Sequence, residues 1–402
     1  MFEKILRFSI QNRYLVLLLV IGVGLIGAFS LQRLAIDAVP DITNNQVQIN
    51  TEAPALSPVE IEKQVTYVVE TALAGIPGLE STRSISRNGF SQVTAVFTDS
   101  TDVYFARQQV AERLGEAKES LPIGAEPRMG AVSTGLGEIY MYVVEYANPD
   151  GVGATVTDGS PGWQSNGTYL TPEGEVLSTD IEKEAYLRTV QDWVIKPQLR
   201  KIKGVAGVDS IGGWEKQFHV QPNPMRLASY GFTLIDLIDA LEQNNVSTGA
   251  GFIEQSGEAY IVRTDARVRT LEEIREIVIG EYEGTPVPLS DVADVIIGKE
   301  LRTGAASQAG TESVVGTVLM LIGENSRTVS NAVDAKMPDI RRSLPAGIEA
   351  NTVLNRTTLV NSTIKTVEKN LVEGALLVIV ILFLMLGNVR AAIITAMAIP
   401  LS

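Results

Sequence analysis

QVQINTEAPALSPVEIEKQVTYVVETA, running from Gln46 to Ala72, sets a short alternating segment directly before a helical one. In QVQINTEA (46–53) apolar and polar residues alternate, which is the period of a strand with one buried face. Ser57-Pro58-Val59-Glu60 is a capping box with proline at the first helical position, and Ile61, Val65, Val68 and Ala72 then share one face. A second helix is predicted from Val103, Ala106, Val110, Leu114 and Ala117, and SQVTAVFTD (91–99) has the length and character of another strand. The order strand, helix, strand, strand, helix and closing turn predicts an α+β sandwich of the split βαβ type, which resembles a ferredoxin-like fold.

The same markers return downstream. SLPIGAEP at Ser120 recurs as SLPAGIEA at Ser343, and GIPGLESTRSI at Gly75 recurs in looser form as KGVAGVDSIGG at Lys203, so the unit is expected to be duplicated. In the second copy EIYMYVVEYA (138–147) is the predicted first strand, Ile181 to Ile202 the first helix, and TESVVGTVLMLIG (311–323) a later strand. Residues between Trp214 and Glu300, with capping boxes at Thr233 to Asp236 and Thr270 to Glu273, are expected to form an inserted unit. Asn148 to Asp180, rich in Gly, Ser, Thr and Pro, is expected to be a surface loop.

Two apolar runs flank this region. YLVLLLVIGVGLIGAFSL (14–31) carries no charge, and LVEGALLVIVILFLML (371–386) carries one acid near its start. Each approaches the ~20 residues that cross a bilayer core, and the first is too long for the hydrophobic part of a cleaved signal peptide. Lys4, Arg7 and Arg13 before the first run and Arg390 after the second place both ends on the cytoplasmic side by the positive-inside rule. Residues 37–360 then lie outside with a net charge of −18, against +4 for the flanks. Such an acidic field repels nucleic acid and concentrates cations.

Composition narrows the chemistry further. With no cysteine and one histidine, His219, the chain has neither a disulfide framework nor a thiolate or multi-imidazole metal centre. It shows no nucleophile–base pair, phosphate loop or histidine cluster, so an enzymatic role is not expected. Met129, Met141, Met225, Met320 and Met337 are scattered, so no thioether ladder is visible, and His219 sits on a strand as a structural residue.

Longer motifs identify a relationship. VPDITNNQVQINTEAPALSPVEIEKQVTY from Val39, STDVYFARQQVAERL from Ser100, STGLGEI from Ser133 and LRTVQDWVIKPQLRKIKGVAGV from Leu187 resemble heavy-metal efflux pumps of the resistance-nodulation-division superfamily, the CzcA-like group, and the likeness runs from Met1 to Ser402. The resemblance implies residues 1–36 with a first membrane span at about 14–34, and a first porter subdomain over 37–130. It implies a second porter subdomain over 131–213 and 301–355, and a docking subdomain over 214–300. A second span with its lead-in over 356–387 and the opening of a third span over 388–402 complete the order. It further implies proton-driven export of divalent cations across the inner membrane, with no bound cofactor beyond the proton-motive force and the metal as substrate. The partners implied are a periplasmic adaptor and an outer-membrane channel, in a homotrimer.

The family's proton relay and most of its substrate contacts fall in parts that correspond to nothing between Met1 and Ser402, so this chain alone is expected to be inactive. Glu373, near the exported end of the second span, is better read as an interfacial charge than as a proton carrier.

Glu138 in TGLGEI, which follows a glycine-flanked turn that can bring its carboxylate close to a cleft, and Asp192 in QDW, on the following helix, are the candidates for transient metal contacts. An acid at the Glu138 position is the pattern of the zinc, cobalt and cadmium exporters, and an apolar residue that of the copper and silver exporters. Two carboxylates suit a hard or borderline divalent ion. Both also have structural readings: Glu138 as a solvated residue at a strand start, and Asp192 as the partner of Lys196 one turn on. Two other functions stay open, a membrane-anchored binding or assembly module without transport, and export of monovalent copper or silver.

Overall fold

The computed structural model describes residues 2–33, 43–255, 258–265, 267–300, 304–386 and 390. The predicted turn and third apolar run over 388–402 lie outside these residues apart from Arg390.

The first unit holds β1 (Gln46–Glu52), β2 (Leu79–Arg87), β3 (Phe90–Phe97) and β4 (Glu126–Met129). Val47 pairs with Ala95 and Ile49 with Val93 across β1 and β3, so the alternation read in 46–53 becomes the buried face. Two helices cover that face, one over 58–73 and one over Val103–Ala117. The Ser57–Glu60 capping box forms as expected: Ser57 Oγ accepts from the Glu60 amide at 3.4 Å, and Glu60 accepts from the Ser57 amide at 2.9 Å. Val69, Leu73, Ala106, Val110 and Leu114 close the core over Val47, Ile49, Val93 and Phe97.

The second unit is built in the same way around β5 (Glu138–Tyr146). Before its first helix the chain makes a small sheet of β6 (Gly162–Trp163), β7 (Tyr169–Leu170) and β8 (Val176–Leu177). This corrects the expectation of a surface loop over 148–180. Trp163, Tyr169 and Leu177 are buried and join the main core, and Tyr146, Trp163 and Tyr169 meet edge-on or tilted with centroids 5.1–5.7 Å apart. Aromatic burial outweighs the loop-like composition around these residues.

The first helix of this unit follows over 180–199, then β9 (Val205–Ile211). The inserted unit comes next, with β10 (Lys216–Pro222), β11 (Ser247–Gln255), β12 (Glu258–Asp265), β13 (Val278–Tyr282), β14 (Thr285–Pro288) and β15 (Ala293–Lys299). It has its own core of Leu227, Leu237, Ile274, Val287, Leu289 and Val295. Its strands β10 and β15 pair antiparallel from Lys216–Lys299 to Pro222–Ala293, so the chain leaves and returns side by side. The Thr233–Asp236 box forms in both directions. At Thr270 only half forms, because Glu273 turns back to the Arg269 amide at 2.6 Å.

After a short hairpin of β16 (Ser307–Gln308) and β17 (Thr311–Glu312) come β18 (Val314–Met320), a helix over Ser326–Arg342 and β19 (Ile348–Asn355). The sheets run β2-β3-β1-β4 and β19-β5-β18-β9; numbered within each unit, both are 4-1-3-2. In both units the first helix contains a π turn, at Glu62–Thr66 and at Val190–Ile195. The extra residue in each turns a polar side chain inward: Thr66 bonds Ser86 and Ser91 at 2.8 and 2.7 Å, and Gln191 is fully buried.

Both apolar runs are helical, over Arg13–Arg33 and Arg356–Leu386, with Phe2–Gln11 forming a separate helix before the first. Among the described residues no helix is long and apolar enough to cross a membrane. Leu15, Leu18, Leu25, Ile26, Leu377 and Leu384 are more than half exposed.

Candidate cation-contact site

Glu138 opens β5 immediately after a tight turn, Ser133–Gly137. The Gly137 amide donates to the Thr134 carbonyl at 2.9 Å, and the Gly137 carbonyl accepts from Met320 at 2.7 Å. A Cβ at Gly137 would stand 1.9 Å from Ser133 Oγ and 3.0 Å from the Thr134 carbonyl oxygen, so a side chain there would displace the Ser133 hydroxyl. A bulge brings Glu138 opposite Leu319, while Tyr140 pairs with Val318. The result is an exposed carboxylate on a fixed backbone. Among the described residues the Glu138 carboxylate makes no hydrogen bond or ion pair, which leaves both oxygens open to solvent.

Asp192 is placed very differently. It lies in the π turn Val190–Ile195, with its side chain 23% exposed. Arg188 Nε reaches Oδ2 at 2.6 Å, Ser210 Oγ donates to Oδ1 at 2.5 Å, and Lys196 Nζ stands 3.6 Å from Oδ1. Burial raises its pKa, but the Ser210 hydroxyl, the Arg188 guanidinium and the Lys196 ammonium outweigh burial and hold the carboxyl below its ordinary range. Asp192 is therefore an anion already compensated by two cations.

A polar chain continues from Asp192 into the core. Ser210 Oγ accepts from Gln191 Nε2 at 3.2 Å, and Gln191 Oε1 accepts from the buried Tyr142 hydroxyl at 2.8 Å. Burial pushes the Tyr142 phenol up, well beyond its usual range. Two residues earlier on the same strand, Tyr140 donates to Asp334 at 2.7 Å and shares a 2.6 Å bond with Thr352; burial is the main cause that pushes its phenol up to about 12.

Glu138 and Asp192 thus belong to one unit, on its central strand and its first helix, with no partner in common. The Lys196 pair was legible in the i, i+4 spacing, and the equal spacing of Arg188 before Asp192 carried the same signal. Ser210 and Tyr142 were not legible, since only the sheet brings β5 and β9 beneath the helix. His219 pairs with Gln217 at 3.0 Å and lies over Gly298, where a Cβ would stand 2.2 Å from the ring. Met337 is a core residue and Met225 is exposed in the inserted unit. Among the described residues no group of three or more His, Asp or Glu is placed to hold a metal ion.

Two split βαβ units, an insertion that leaves and returns by paired strands, and an apolar helix at either side make up the described chain. The model of the AcrB/AcrD/AcrF family matches residues 5–402, and the chain belongs to that family. It is 57% identical to the nickel-cobalt-cadmium resistance protein NccA of Alcaligenes xylosoxydans xylosoxydans. It is 54% identical to the cobalt-zinc-cadmium resistance protein CzcA of Cupriavidus metallidurans, and 36% to the cation efflux system protein CusA of Escherichia coli. Each likeness covers all of this chain. A crystal structure of a heavy metal efflux pump superposes with a TM-score of 0.81 at 29% identity, over 99% of this chain and 37% of that one. The chain spans 36–37% of the length of these curated relatives.

Proposed function

We propose that this chain forms the N-terminal part of a proton-driven exporter of divalent heavy-metal cations of the nickel, cobalt, zinc and cadmium type. The observation that supports this most is identity of 54–57% along the whole chain to proteins named for resistance to these metals, against 36% to CusA. In this reading the helices over Arg13–Arg33 and Arg356–Leu386 cross the bacterial inner membrane with their outer ends cytoplasmic. Residues 37–355 hang in the periplasm as two porter subdomains and a docking subdomain. The docking subdomain meets an outer-membrane channel, an adaptor completes the assembly, and the pump is a homotrimer. The chain is not an enzyme, takes no cofactor and contains no proton relay.

Glu138 and Asp192 take different parts. Glu138, exposed and unengaged on a rigid turn, is the contact that meets a hydrated cation weakly enough to release it. Asp192 must exchange Arg188 or Lys196 for the metal, which makes it a contact only in an arrangement where those cations withdraw.

The test is a hybrid pump with residues 1–402 joined to the remaining length of the nickel-cobalt-cadmium relative, expressed in a metal-sensitive strain. The hybrid is expected to confer resistance, and the 402-residue chain alone to confer none. Glu138→Ala is expected to lower cobalt or zinc resistance at unchanged membrane level. Full resistance in the Glu138→Ala, Asp192→Ala double variant would remove both residues from the cation path.

A further inference from the structure

The turn that carries Glu138 is joined to the long apolar helix. β19 ends at Asn355 and the helix over Arg356–Leu386 begins at the next residue, with no intervening loop. Arg356 Nη1 donates to the carbonyl of Leu136, inside the Ser133–Gly137 turn, at 2.8 Å. A second tie runs through the core: Ser330 Oγ, wholly buried, bonds Asn355 Oδ1 at 2.9 Å and approaches the Ile139 carbonyl at 3.4 Å. Asn355 Oδ1 also accepts from the Thr357 amide at 2.9 Å, capping the helix, and Asn355 pairs with Tyr140 in the sheet.

From these contacts we propose that Arg356 and Asn355 are positioning residues that lock the first turn of the apolar helix to the backbone on either side of Glu138. Displacement of that helix then moves the Glu138 carboxylate. A continuous helix of 31 residues is a rod of about 45 Å, and its end cannot shift without carrying its hydrogen-bonded partners. Leu136 and Ile139 bracket Glu138, so the two ties act on both sides of the candidate contact. The sense of the coupling is reciprocal: a cation held at Glu138 restrains the helix start, as the helix start restrains the turn. The link to a cation rests on reading Glu138 as a metal contact, whereas the joint itself does not.

The test is hydrogen–deuterium exchange on the full 402-residue chain in detergent, without metal and with Co2+. Without metal, Arg356→Gln is expected to speed exchange over residues 133–140 by about tenfold, the scale of losing one charged donor, with residues 46–52 unchanged. Arg356→Lys, which keeps a cationic donor, is expected to restore part of the protection. With Co2+, the wild-type chain is expected to gain protection over both 133–140 and 354–360, and Arg356→Gln only over 133–140. Exchange in Arg356→Gln within twofold of wild type would overturn the joint. Protection of both segments by Co2+ in that variant would overturn Arg356 as its carrier. Absence of any Co2+ effect in the wild type would overturn the cation reading and the transmission with it, while the metal-free comparison still decides the joint.

Discussion

The Tyr142 hydroxyl donates to Gln191 Oε1 at 2.8 Å beneath the π turn, and this bond joins the central strand of the second unit to the helix that carries Asp192. Gln191 is fully buried, so its amide depends on Tyr142 and Ser210 for partners. Tyr142→Phe keeps the ring and removes the donor. It is expected to destabilise the fold by about 1–3 kcal/mol, the cost of a buried acceptor left unmade. Denaturant unfolding of the full chain in detergent checks this; a change under ~0.5 kcal/mol would contradict it.

Tyr142 also needs Gly316. The two pair across β5 and β18, and a Cβ on Gly316 would stand 2.2 Å from the ring. Gly316→Ala forces the ring off its site and is expected to cost about 1–3 kcal/mol, the usual range for overpacking. The same unfolding measurement applies, and Tyr142→Phe combined with Gly316→Ala should be less than additive because both act on one contact.

Asp192 gives a pH dependence with a definite sign. Its folded pKa lies below the ordinary value of 3.8, so its contribution is fully present above that value and is lost as pH falls through the folded pKa. Asp192→Asn is therefore expected to be less stable than wild type at pH 7, with the difference closing below pH 3.8. A thermal-shift series across pH reads this directly, and a difference that persists unchanged in acid would refute the assignment.

Glu300 has the opposite sign. Burial first, then Glu215 and Glu52, raise its pKa, while Arg188 opposes them. A raised carboxylate favours folding below its unfolded pKa and loses that contribution as pH rises through the folded value. Glu300→Gln is thus expected to raise the melting temperature at pH 7 to 8 and to have little effect near pH 4. Because Glu300 is mainly exposed, the shift should be small, and the part due to Glu215 and Glu52 should shrink in high salt.

Trp163 fastens the 148–179 segment to the core, with Tyr146 tilted against it, Tyr169 meeting it at right angles and Lys183 Nζ 5.1 Å from its ring centre. Trp163→Ala is expected to cost about 3–5 kcal/mol and to open this segment to limited proteolysis. Cleavage confined to this segment, followed by mass spectrometry, would show that the aromatic plug and not the loop composition holds it down.

The sequence alone determined the elements whose signal is local. Val47 and Ile49 declared a strand by alternation, Ser57 and Glu60 declared a helix start by spacing, and the two apolar runs declared helices by composition. The returning markers declared the repeat. Each follows from the period of the backbone or from contacts a few residues apart, which a linear reading can count. Tertiary structure alone decided what Asp192 does and what Glu138 is tied to. Ser210 reaches Asp192 from another strand, Gly316 makes room for Tyr142, Trp163 turns a loop-like segment inward, and Arg356 grips the carbonyl of Leu136 across 220 positions of sequence. These partners meet because the 4-1-3-2 sheet brings distant strands together, and a contact fixed by sheet order has no period along the chain from which to read it.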